Sequence, residues 1–263
     1  MINALRTPAD ARWYRLAMAA LVLFAWAVLA AWGASPFATL LSHRQLAEGG
    51  LTVLRLAMFT AGWVLMTVAM MLPGSLPLFN LFGVLVARRA DRVSLTLCLT
   101  LGYLAVWAAF GAVAFVGDAA LHAAAGRNPA FVAQAQWIGV LVMLAAGVYQ
   151  VTPLKEVCLE KCRSPYSFIV EHWGGRRPRR DAVRLGARHG LFCVGCCWML
   201  MLLMFVVGGV NLGWMLGLGA VMLVERTSRW GRRLSAPVGL ALILSSLGLV
   251  YRIPVLLAAF GAD

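Results

Sequence analysis

The feature that most constrains this chain is a series of apolar runs, most of them about as long as a bilayer is thick. A helix needs about 20 mostly apolar residues to cross the hydrocarbon core. Such runs occupy roughly 13–33, 52–87, 93–116, 131–152, 189–210, 212–227 and 236–260. The stretch 52–87 is too long for one simple crossing, and Pro73, Gly74 and Pro77 predict a kink or break there. Arg252 and Pro254 predict fraying near the end of the last run. Composition agrees with immersion in lipid. The chain is 62% hydrophobic and 13% charged, whereas soluble domains run at about 45–50% and about 25%. Mean hydropathy is +0.83. The expected fold is therefore all-α, a polytopic transmembrane helix bundle of about seven spans, six and eight being the neighbouring counts. It forms a single integral membrane domain over 1–263, with a basic cytoplasmic loop at about 153–188. The first run follows Arg6, Arg12 and Arg15 but is longer than a cleaved signal usually is. It reads as a retained helix, with cleavage near Ala34 as the alternative.

The net charge of +13 would suggest nucleic acid in a soluble protein. Here the bilayer accounts for it. With seven alternating spans and the N-terminus inside, 19 of the 23 Lys and Arg residues fall in inner segments. The exceptions are Arg44, Arg55, Arg127 and Arg252. Cytoplasmic loops carry such an excess, and the run 176–180 suits an anionic lipid surface. The expected location is the bacterial inner membrane, with the lipid bilayer as partner and no nucleic acid.

Five of the six cysteines lie in one 40-residue window: Cys158, Cys162, Cys193, Cys196 and Cys197. Cys158 and Cys162 are four apart, so a helix places them on one face. His189, Cys193 and Cys196/Cys197 likewise form one helical stripe, which spans only about 12 Å along the axis at 1.5 Å per residue. Both groups are expected at the reducing, cytoplasmic end, where structural disulfides are disfavoured. Small-residue helix packing would suit one or two of these cysteines, but not five at one depth. Cys98 stands apart, as a small buried hydrophobe.

The second run adds Met66, Met70 and Met71. These are either core filler or, beside a thiol cluster, ligands. Glu225 arrives at the same level and is either functional or paired with Arg226 or Arg229. Thiolate and thioether together select soft ions, above all Cu(I). Zinc uses Cys and His but has little use for Met, and an iron–sulfur cluster would need four of the cysteines. Two thiolates on Cu(I) leave one negative charge, which Lys155, Lys161 or His189 would offset. His43, His122 and His172 read as solvated surface residues.

Three blocks carry a resemblance. They are Trp63-x-x-Met66-x-x-Ala69-Met70-Met71-Leu72-Pro73, Tyr149-Gln150-x-x-Pro153-Leu154-Lys155-x-x-Cys158-Leu-x-x-Cys162-Arg163-x-Pro165, and Gly190-x-x-Cys193-x-Gly195-Cys196-Cys197-Trp198-x-Leu200-Met201. In this order, over roughly 60–230, the chain resembles a bacterial family of predicted metal-binding integral membrane proteins with a domain of unknown function. The resemblance implies metal binding. Some relatives are held to deliver copper to copper oxidases, so it also implies a copper-dependent oxidase as recipient. No catalytic constellation is present: no Ser–His–Asp spacing, no phosphate loop, no paired carboxylates. The leading expectation is a non-enzymatic Cu(I) chaperone or insertion factor for a copper enzyme. A membrane thiol–disulfide oxidoreductase and a transporter with a cytoplasmic-side Cys/Met gate are the alternatives.

Overall fold

The computed structural model describes residues 9–35, 52–127, 135–207 and 211–260. They form α1 (Ala9–Gly33), α2 (Val53–Met70), α3 (Leu72–Leu85), α4 (Arg92–Arg127), α5 (Ala135–Tyr149), α6 (Pro153–Arg163), α7 (Pro165–His172), α8 (Pro178–Val207), α9 (Leu212–Thr227) and α10 (Gly231–Phe260). Five of these helices are long and apolar enough to cross a membrane. The count is six if α5 and α6, bent by 62° at 150–152, are one span. Helix α9 follows the run expected at 212–227, but its 16 residues fall short of the usual crossing length.

Proline placement explains most departures from the expected boundaries. Pro153, Pro165 and Pro178 each open a helix, where the missing N–H costs nothing and φ is already helical. The segment 153–188 is consequently not a loop. It consists of α6, α7 and the first turns of α8, and α8 starts 11 residues before the expected span. Pro73 occupies the second position of α3, and the break falls at Met71; Pro77 stays inside the helix. Pro73 cannot donate to the carbonyl four residues back, and that carbonyl, on Ala69, accepts instead from Trp26 Nε1 of α1 at 3.0 Å. Helix α10 continues through Arg252 and Pro254 to Phe260 rather than fraying before them.

Helices α4 and α8 form the central pair. A Cβ on Gly186 would stand 1.9 Å from the Leu99 carbonyl, and one on Gly102 2.2 Å from that of Val183. Only glycine permits this approach, as at other small-residue helix seams in lipid. The seam brings α8 against Tyr103 and Trp107, which are fully buried. Most large hydrophobics on the outside of the bundle, such as Leu97, Leu101, Leu141 and Leu244, are exposed, as a lipid-facing surface requires.

Candidate metal centre

The α8 stripe faces inward along its whole length. His189 and Cys193 are fully buried, and Cys196 and Cys197 are each 2% exposed. Cys196 and Cys197 direct their thiols to the Cys193 carbonyl at 3.2 and 2.7 Å. All six cysteines are free. Cys98 is half-buried at the edge of the core.

Helix α6 lies along the same stripe. Cys158 and Cys162 share its buried face, as their spacing predicts. The Cys158 sulfur sits where a Cβ on Gly195 would be, 2.6 Å away, and Cys162 and Cys196 are close enough for their thiols to interact. Tyr149 donates to the Gly195 carbonyl and packs edge-on against Trp198 at 5.4 Å. The end of α5 is thereby fixed to the cysteine segment.

The third contribution comes from the α2–α3 break. Met71 Sδ lies 3.4 Å from Cys197 Sγ, so the methionine that meets the thiols is the one between the helices. Met66 and Met70 are also buried. Met70, however, packs on Gly219 of α9, with Cγ 3.6 Å from a Cβ built there, away from the Met71–Cys197 contact. The expected Met66/Met70 stripe thus lies along α2, while the break delivers Met71 to the cysteines.

Glu225 pairs with neither Arg226 nor Arg229. Both its oxygens accept from Lys155 Nζ at 2.8 Å. Ser235 adds a hydrogen bond to Oε1 at 2.9 Å, and Gln150 accepts from the same Lys155. This buried node joins α6, α9 and α10, so Lys155 is occupied with a carboxylate. Lys161 is on the surface with Glu171 at 2.7 Å, where its ammonium holds the Glu171 carboxyl below the usual range. The cation beside the thiols is instead Arg226, 5% exposed. Its Nη1 donates to the Met71 carbonyl and to Cys193 Sγ, both at 3.2 Å. Its Nη2 donates to Ser75 Oγ at 2.9 Å and lies 3.5 Å from His189 Nε2. Tyr103 closes the ring, with its hydroxyl 3.2 Å from Cys193 Sγ and 3.3 Å from Ser75 Oγ.

Sequence reasoning missed Arg226, Ser75 and Tyr103. Arg226 had a readable signal: Met215, Gly219, Met222 and Arg226 recur at helical spacing, and all four are buried. His189 stacks on Tyr103 at 5.7 Å and meets the edge of Phe168 at 5.6 Å, so α7 roofs the centre. His172 is not solvated: it stacks on Phe168 at 4.5 Å. His122 is half-buried, and its Nδ1 is 2.9 Å from the Asp118 carbonyl. His43 lies outside the described residues.

Two observations bear on a bound ion. The donors gathered here are thiol, thioether and imidazole, the set that soft ions prefer, and His189 Nδ1 is buried without a partner. Among the described residues, no three of His, Cys, Asp or Glu stand ready around a common point. The PpoB2 family, described as copper chaperone, matches residues 60–249. The chain belongs to this copper chaperone family. The match covers all three blocks and extends into α10. No curated protein and no solved structure matches the chain. Membership of a copper chaperone family supports a copper-related chaperone role and is consistent with delivery to a partner enzyme.

Proposed function

We propose that the protein is a membrane-embedded Cu(I) chaperone or insertion factor that carries its ion between α8, α6 and the α2–α3 break and delivers it to a copper-dependent enzyme. The observation that carries this reading is the 3.4 Å contact of Cys197 Sγ with Met71 Sδ. It unites thiol and thioether from segments 126 residues apart. Copper is cargo here. Cys193, Cys196, Cys197 and Met71 are its innermost donors, with His189 beside them. Cys158 and Cys162, at 8% and 6% the more exposed of the five clustered thiols, receive and release the ion. Met66 and Met70 extend the soft surface along α2. Lys155 and Glu225 brace α6 against α9 and α10. Each thiol that becomes a ligand releases its proton, so loading lowers the pH of a weakly buffered solution.

The location proposed is the bacterial inner membrane, with seven spans and the N-terminus inside. The charge distribution supports this orientation, the five or six helices long and apolar enough to cross a membrane support insertion, and the count of seven rests on the sequence alone. Burial argues against the oxidoreductase alternative. Thiol–disulfide exchange needs a thiolate that a partner's sulfur can reach, and the α8 thiols are at most 2% exposed.

The test is anaerobic purification of the full chain followed by Cu(I) titration against a coloured Cu(I) chelator. The parent should take up Cu(I) in preference to Zn(II). Cys196→Ser with Cys197→Ser replaces soft donors by hard ones of similar size, and should abolish uptake while the protein stays folded in the membrane. Retention of copper by this double variant would sink the reading.

A further inference from the structure

Arg226 is a buried cation with no carboxylate among its hydrogen-bond partners. Its neighbour Glu225 is committed to Lys155. Its Nε makes no hydrogen bond. A buried charge with no carboxylate partner is costly in a protein interior, so its retention here needs a reason. The groups around it supply one. Cys193 Sγ and His189 Nε2 are donors that a soft monovalent cation would seek, and both contact the guanidinium. A second feature sets its place: the side chain lies over Gly74, where a Cβ would stand 3.2–3.3 Å from Arg226 Cδ, Nε and Nη1.

We propose that the Arg226 guanidinium is a built-in place-holder for the cargo ion. This inference rests on the Cu(I) reading above. In the metal-free protein the guanidinium fills the space between Cys193, His189 and Met71. It holds the donors apart and keeps one positive charge among them. An arriving Cu(I) takes that place, and the guanidinium swings out. No electron is transferred, and the side chain breaks no covalent bond. The way out is short, because Arg226 is in the last turn of α9, next to the exposed Thr227 and near the exposed Arg229. Long basic side chains near helix ends readily extend to the interface. One monovalent cation replaces another, and each thiol that becomes a ligand gives its proton to solvent as the ion binds. Delivery is the reverse step: the returning guanidinium refills the pocket and lowers the cost of losing the ion.

The alternative role for Arg226 is a fixed counter-ion that assists binding, and the two roles predict opposite signs. In anaerobic titrations of the full chain with Cu(I), and with Ag(I) as a redox-inert monovalent probe, R226M should bind at least tenfold more tightly than the parent, about 1.4 kcal/mol. G74A keeps the charge but crowds the resting guanidinium, and should also tighten binding. Equal or weaker binding by a folded R226M overturns the proposal while the chaperone reading stands. If R226M does not fold, G74A decides: tighter binding supports the place-holder, and equal or weaker binding overturns it. A parent that takes neither ion removes both readings.

Discussion

At Met71 the structure separates two roles that sequence spacing had merged. Met66 and Met70 recur at helical spacing and look like a ligand stripe, but Met70 faces α9 and Met71 meets the thiols. Met71→Leu, a near-isosteric change, should therefore weaken Cu(I) binding more than Met70→Leu, as read by chelator competition. Binding like the parent in both variants would return Met70 and Met71 to the core. Glu225 also has a definite partner. Removing one member of a buried ion pair strands the other, at roughly 3–5 kcal/mol. Glu225→Gln should thus lower the thermal unfolding temperature, and Lys155→Met in the same chain should recover much of the loss. On the surface the sign is set by Glu171. Lys161 lowers its folded-state pKa, so this pair supports the fold above the ordinary carboxylate range and stops doing so as pH falls through the lowered value. Lys161→Gln should raise the Glu171 titration midpoint in a pH series followed by NMR. Arg226 was hidden because a basic residue at a span's end reads equally well as a topology marker, and only the stripe from Met215 distinguishes the two.

At the scale of elements, the apolar runs were legible because lipid demands length and hydropathy together. The ends were not, because prolines that look like breakers mostly open helices here. The polar composition of 153–188 concealed three helical segments for the same reason. The break near Pro73 was foreseen, but its position at Met71 depends on a tertiary contact. Trp26 occupies the Ala69 carbonyl that Pro73 cannot serve. Trp26→Phe should leave that carbonyl unpaired and cost about 1–3 kcal/mol. Pro73→Ala supplies an N–H again and should reduce the penalty of Trp26→Phe in a double-mutant cycle. The α4–α8 seam makes a sharper demand. Gly186→Ala places a methyl 1.9 Å from a backbone oxygen, so the helices must part. The expected result is a marked loss of thermal stability together with weaker Cu(I) binding, because Cys193 moves away from Tyr103.

For the whole molecule, one sulfur-lined centre gathers the ends of several helices beneath α7, and the rest of the bundle supports it. The proposed topology, which rests on the charge asymmetry of the sequence, puts that centre at the cytoplasmic side. A reporter active only in the cytoplasm, fused to the C-terminus, should stay silent under seven spans with the N-terminus inside. Activity would change the count by one, and α9, short for a crossing, would be the helix to reconsider. The clustering of cysteines was legible at this scale, since two helical stripes at one depth need no tertiary knowledge. The inclusion of Arg226, Ser75 and Tyr103 was not, because it depends on how α3, α4 and α9 pack around α8.

The glycine seam also has a genealogical consequence. Lipid does not distinguish Leu from Val, so the outward face of α4 is free to drift among apolar residues. Gly102 and Gly186 have no such freedom, since each faces a backbone carbonyl that no compensating side-chain change can remove. Across diverged descendants of this sequence, these two positions should stay invariant while Leu97 and Leu101 on α4 vary. The interior of the α4–α8 pair would then preserve ancestry longer than any other stretch of comparable length.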